Sequence, residues 1–167
     1  MSGGGEVRRS WPGPEYVTRV TFDAPLAHSF RWCTDYSAID PQLEKEEYAR
    51  RVLERGPRRV VYEDLASTKA GWSWARYVVT LQPPDRWHME SIGTARCAVG
   101  DYLLTPLSGD RTRFELRYRR KPGLLPFRRV PKKERDPQDL VTWLHFKRAL
   151  EKDYRASLGR RRRSRGR

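Results

Sequence analysis

What most narrows the folds open to this chain is the contrast between its C-terminal stretch and the segment before it. Residues 137–158 place Leu140, Trp143, Leu144, Leu150, Tyr154 and Leu158 at three- and four-residue steps, the pattern of one long amphipathic helix. Asp136 is placed to cap it, Pro137 fits its first turn, and Asp139 adds a favourable negative charge there. Between Tyr48 and Tyr118 the pattern changes to short runs rich in β-branched and aromatic residues. These runs cover 48–55, 59–65, 72–81, 87–93, 97–107 and 111–119, split by turn residues such as Gly56-Pro57, Pro83-Pro84-Asp85 and Ser108-Gly109-Asp110. Short separators predict hairpins and an antiparallel sheet. A single helix cannot bury a sheet by lying along its edge. It must cross one face, which predicts a two-layer α+β domain.

Residues 16–22, Tyr-Val-Thr-Arg-Val-Thr-Phe, predict an additional first strand. Asp23-Ala24-Pro25 then opens a short helix over 25–34, with Leu26, Phe30 and Cys33 at helical spacing. A second helical piece is expected over 41–47. Residues 1–14 are rich in Gly and Pro and are expected to be disordered, as is the arginine-rich stretch 159–167. The 120–135 segment, with Pro122, Pro126, Pro131 and seven basic residues, is expected to be a loop. One domain over 15–158 results.

A chain of 167 residues can bury enough surface to fold without a metal or disulfide. Its 37% hydrophobic content is modest, but six Trp and eight Tyr supply large rings for a core or a cavity wall. The net charge is +14, and six arginines fall in the last eight residues. Removing those six still leaves a basic body, which favours anionic partners without choosing among nucleic acid, acidic lipid and small anions. Two cysteines, Cys33 and Cys97, make no disulfide framework, and a cytoplasmic location is expected. No apolar run is long enough to span a membrane. Gly-x-Ser-x-Gly, His-Glu-x-x-His, Cys-x-x-Cys and phosphate-binding Gly-rich motifs are all absent. Three scattered His and two distant Cys give no metal-ligand spacing, and no cofactor is expected.

Three local patterns, in this order along the chain, carry a family likeness. They are Val20-Thr-Phe22-Asp-Ala24-Pro25 followed by Phe30-Arg-Trp32-Cys-Thr-Asp35-Tyr36; Pro83-Pro84-Asp85-Arg86-Trp87; and Gly109-Asp110-Arg111-Thr112-Arg113-Phe114. In these the chain resembles the START-like (SRPBCC, helix-grip) superfamily, which includes polyketide cyclases and coenzyme Q-binding proteins. Asp-Arg intrudes between Gly109 and Thr112, where the family has a Gly-Thr-Arg turn. The resemblance implies a curved antiparallel sheet of six or seven strands around a long C-terminal helix, and a cavity between them. It implies hydrophobic-ligand binding more than any particular reaction.

Pairing the strands assigns faces. A Ser108–Arg111 turn pairs Leu107 with Thr112, so Leu103 and Asp101 share the inward face of Phe114, Leu116 and Tyr118. A turn at Pro84-Asp85 pairs Gln82 with Trp87, so Trp72, Trp74, Arg76, Trp87 and Met89 share a face, taken as inward; the opposite face, with Ala75, Tyr77, Val79, Leu81, His88, Glu90 and Ile92, is also mixed, and a bulge would swap the two. The expected ligand wall is therefore Trp74, Arg76, Trp87, Met89, Leu103, Phe114, Leu116, Tyr118 and Trp143. An ion pair of Arg76 with Asp101 or Glu63 is the structural reading of that arginine. Three functions follow. The first is carriage of a lipid, quinone or polyketide-like molecule. The second is a metal-free cyclase or dehydratase, with Asp101, Tyr118 and Glu63 beside Arg76 as candidate groups. The third is contact with nucleic acid or an anionic membrane surface through Arg160, Arg161, Arg162 and Arg163.

Overall fold

The computed structural model describes residues 11, 14–37, 40, 42, 48–68, 71–125 and 139–165. The chain runs β1 (Tyr16–Phe22), α1 (Leu26–Cys33), β2 (Tyr48–Arg55), β3 (Arg59–Thr68), β4 (Gly71–Gln82), β5 (Arg86–Gly93), β6 (Arg96–Leu107), β7 (Arg111–Pro122) and α2 (Asp139–Arg165). All seven strands form one antiparallel sheet, in the order β1-β7-β6-β5-β4-β3-β2. Every neighbouring pair is a sequential hairpin except β1 with β7, where the first strand closes against the last. Apart from Gln42, the expected second helical piece at 41–47 lies outside the described residues, as do the Asp136 cap and most of the 120–135 loop, though β7 extends to Pro122.

Strand alternation sorts the sheet into two faces. On β7, Thr112, Phe114, Leu116 and Tyr118 are buried, while Arg111 and Arg113 are exposed. The same parity continues through Leu104 and Tyr102 on β6, Trp87 on β5, Leu81 and Val79 on β4, and Tyr62 and Val60 on β3. This concave face meets both helices. Trp143 of α2 packs on Phe114 with ring centroids 3.9 Å apart, and Leu150 is fully buried. Phe30 of α1 meets Trp87 edge-on at 5.9 Å, and Trp32 meets Phe146 of α2 at 5.8 Å. Such rings bury large apolar areas, and these carry the core that the modest aliphatic content could not.

Both hairpin turns that set the faces hold three residues, one fewer than the sequence pairing assumed. Leu107 pairs with Arg111, and Gln82 pairs with Arg86. In the first turn Gly109 (φ 70°) and Asp110 (φ 54°) both adopt left-handed backbone, which lets the strands rejoin one residue earlier. The final helix also differs from expectation. It continues through Gly159 to Arg165, where the sequence reading ended it near Leu158. The cost of one helical glycine is about 1 kcal/mol, small against a run of good helix-forming arginines around it.

Candidate functional site: the concave face

A one-residue slip in pairing turns every side chain of the partner strand to the other face. Leu81, rather than Gln82, lies opposite Trp87, so Trp87 and Met89 do point under the helices, but Trp72, Trp74 and Arg76 point outward. Trp72 is 67% exposed. Arg76 pairs with Glu63 on that outer face, Nη2 to Oε1 at 2.6 Å, the structural ion pair that the sequence allowed. Likewise Leu104 and Tyr102 take the inward positions expected of Leu103 and Asp101. Leu103 is exposed, and Asp101 holds His88 on the outer face with Oδ1 2.6 Å from Nδ1. Phe114, Leu116, Tyr118 and Trp143 lie inward as expected. The set Asp101, Glu63, Arg76 and Tyr118 therefore does not converge: three members lie on one face of the sheet and Tyr118 on the other.

Two regions make up the concave face. Over β5–β7 it is filled. Trp87 stacks on Tyr102 at 4.8 Å with planes 12° apart, and Phe114 and Trp143 close above them. Over β2–β4 it carries a ladder of tyrosines, with Tyr36 on Tyr62 at 5.1 Å and Tyr62 on Tyr77 at 4.6 Å. Between the two, Tyr77 and Met89 point inward yet stay partly exposed, and the Tyr102 hydroxyl lies 3.6 Å from the Met89 sulfur. Trp87 Nε1 is buried with no aligned hydrogen-bond partner, although it sits near enough to the Tyr36 hydroxyl to favour that group's anion. Burial dominates there and pushes the Tyr36 hydroxyl far above the usual phenol range.

At the end of the tyrosine ladder sits a polar cluster that the sequence reading missed. The Arg50 side chain is 6% exposed and points inward from β2. Its Nε and Nη2 donate to the two oxygens of Asp64 at 2.8 and 2.9 Å, a bidentate pair. Nη1 donates to Asp40, and Nη2 also reaches the Tyr48 hydroxyl at 3.2 Å. The guanidinium lies 4.3 Å over the Tyr62 ring. Burial pushes the Asp40 carboxyl up to about 6, against the opposing pull of Arg50. The sequence held a usable signal. On β3, Asp64 shares the parity of Val60 and Tyr62, and on β2, Arg50 shares that of Tyr48 and Val52. Two opposite charges on two inward parities imply a buried pair.

No group of His, Cys, Asp and Glu that could hold a metal ion occurs among the described residues. None of their helices is long and apolar enough to cross a membrane.

These features define a START-like, helix-grip fold: a curved seven-stranded antiparallel sheet, a short helix after the first strand, and a long C-terminal helix. Comparison with solved structures gives the same fold. The Zhui aromatase/cyclase from a Streptomyces species superposes with a TM-score of 0.66 at 13% identity, over 87% of this chain and 95% of that one. A START superfamily protein from Mycobacterium smegmatis gives 0.59 at 16% identity, over 86% and 99%. A protein from Thermus thermophilus gives 0.60 at 18% identity, over 86% and 99%. No protein-family model matches the sequence, and no curated protein matches it.

Proposed function

We propose that the protein binds a small hydrophobic molecule, of lipid, quinone or polyketide-like character, against the concave face of the sheet beside Tyr77 and Met89. The observation that carries this is the incomplete cover of an inward wall. Tyr77 and Met89 face inward and touch the core, yet both retain solvent exposure, whereas their neighbours Trp87 and Val79 are buried. Inward side chains that are only half covered offer an apolar guest surface to bury. The nearest test is native mass spectrometry of freshly purified protein, followed by titration with an apolar fluorescent dye. Met89→Asp should abolish dye uptake, and Trp72→Ala on the outer face should leave it unchanged. Equal uptake by wild type and Met89→Asp would refute the reading.

A second reading, an enzyme of the cyclase or dehydratase kind, is favoured by one observation. Asp40, with its carboxyl pushed up to about 6, stands beside the Arg50 guanidinium, whose other end reaches the Tyr48 hydroxyl. A carboxyl close to neutrality can both give and take a proton at physiological pH, and a similar fold occurs in an aromatase/cyclase. In this reading Asp40 moves the proton and Arg50 polarises a carbonyl of a reactive chain. Cyclisation of a polyketide-like chain that disappears in Asp40→Asn, with dye binding intact, would separate catalysis from carriage. Undiminished turnover in that variant would exclude this assignment.

A further inference from the structure

Arg160, Arg161, Arg162, Arg163 and Arg165 extend the long helix, and this changes what they can do. At a rise of about 1.5 Å per residue, the 27 residues of α2 span about 40 Å. The ring contact nearest its C-terminus is that of Tyr154 with His28, at 5.1 Å. Beyond it Leu158 is exposed, a Cβ on Gly159 would meet nothing within 4 Å, and the Arg160 side chain is 70% exposed. The helical backbone then carries on to Arg165.

Between Asp153 and Arg165 α2 holds no acidic residue and six arginines. The carboxylates of the preceding turn are committed. Glu151 accepts from Lys147 and from the Asp23 backbone, and Asp153 lies 3.7 Å from His28 and 4.0 Å from Arg160. Arg160 and Arg163, Arg161 and Arg165, and Arg162 and Arg165 stand three or four residues apart, where like charges repel on a helix. This end of the helix therefore gains from a polyanion outside the chain. Between Tyr154 and Arg165 the apolar residues of α2 are Ala156 and Leu158. That is far short of the broad apolar face with which an amphipathic helix enters a lipid surface. An arginine-rich rod about 10–12 Å wide instead suits a groove bordered by phosphates, where each guanidinium forks onto phosphate oxygens.

We propose that the C-terminal end of α2 is a nucleic-acid-binding element, engaging the phosphodiester backbone without sequence preference. It is independent of ligand binding on the concave face. The test uses the full-length protein and its R160Q/R161Q/R162Q/R163Q variant, which removes charge and keeps helix-forming side chains. Fluorescence anisotropy would follow binding to a labelled random-sequence DNA duplex and to a labelled single-stranded RNA across a salt series. Wild type should bind at least one of them, with a slope of log K against log salt of about −4 if four or five phosphates are neutralised. The variant should lose more than about tenfold in affinity and most of that slope, with an unchanged thermal midpoint and unchanged dye uptake. Absence of binding by wild type, or equal binding by the variant, overturns the proposal. So does tighter binding to phosphatidylserine-containing vesicles at the same salt, which would make the partner a membrane.

Discussion

Lys147 and Glu151 sit one helical turn apart on α2 and together fasten it to the start of the chain. Lys147 Nζ lies 2.5 Å from Glu151 Oε1 and donates to the Thr21 carbonyl at 2.6 Å, while the same Glu151 oxygen accepts the Asp23 N–H at 2.8 Å. Burial alone would raise the Glu151 carboxyl, but the Lys147 and Asp23 hydrogen bonds outweigh it and hold the group below its ordinary value. Its contribution to stability is therefore present above the unfolded value of 4.5 and is lost as pH falls through the lower folded value. Glu151→Ala should cost about 2–3 kcal/mol at neutral pH, since charge-assisted bonds to a buried acceptor are lost. Urea titrations at neutral and acid pH check this, and the difference between variant and wild type should shrink on acidification.

Removing one side of the Arg50–Asp64 pair should be among the most damaging single changes. Asp64→Ala leaves a guanidinium whose side chain is 6% exposed with its bidentate partner gone, at a cost of about 3–5 kcal/mol. Adding Arg50→Met should recover part of that loss, because the stranded charge leaves with its partner. Denaturation midpoints of the two single variants and the double variant measure the coupling.

His88 gives the outer face a pH dependence of opposite sign. Its hydrogen bond to Asp101 is the main cause of a raised pKa, against burial, with Glu90 adding at 3.2 Å. Its stabilising contribution is complete below 6.5 and is lost as pH rises through the higher folded value. Titration of the His88 ring by NMR should place its midpoint above 6.5 in wild type. In Asp101→Asn that midpoint should fall, and stability should lose the decline that His88 contributes above 6.5.

Two glycines should respond differently to alanine. A Cβ at Gly93 would come within 2.7 Å of the Arg96 carbonyl oxygen and 3.0 Å of that of Trp74, backbone atoms that cannot swing aside. Gly93→Ala should therefore cost about 2–3 kcal/mol. Gly109 has open space around it but a φ of 70°, so Gly109→Ala should cost only about 1 kcal/mol, from backbone strain alone. Thermal unfolding of both variants checks the ranking.

Every strand and both helices of the described residues could be located from the sequence, because period-2 and period-3.6 patterns survive without tertiary information. The faces were harder. One physical quantity, the length of a hairpin loop, decided them. Reading four residues between Gln82 and Trp87 instead of three between Gln82 and Arg86 sent Trp74 and Arg76 inward on paper and outward in the fold. The same one-residue excess at Ser108–Asp110 exchanged Leu103 and Asp101 for Leu104 and Tyr102. Loop length depends on which residue adopts left-handed backbone, and Asp110 gives a weaker signal of that than glycine does. Phe114, Leu116 and Tyr118 escaped the error because their own strand alternates cleanly with Arg113, Glu115 and Arg117. The Arg50 cluster went unread because charged residues on strands β2 and β3 suggest solvent until the two strands are laid side by side.

The outward turn of the β4 indoles bears on how any guest would be seen by light. Trp72 emits from water, whereas Trp87 and Trp143 emit from an aromatic interior within energy-transfer reach of several tyrosines. A titration followed by total emission would thus be diluted by reporters that never meet the guest. Iodide, which silences solvent-facing indoles, would leave a spectrum weighted toward the two buried rings and restore the contrast.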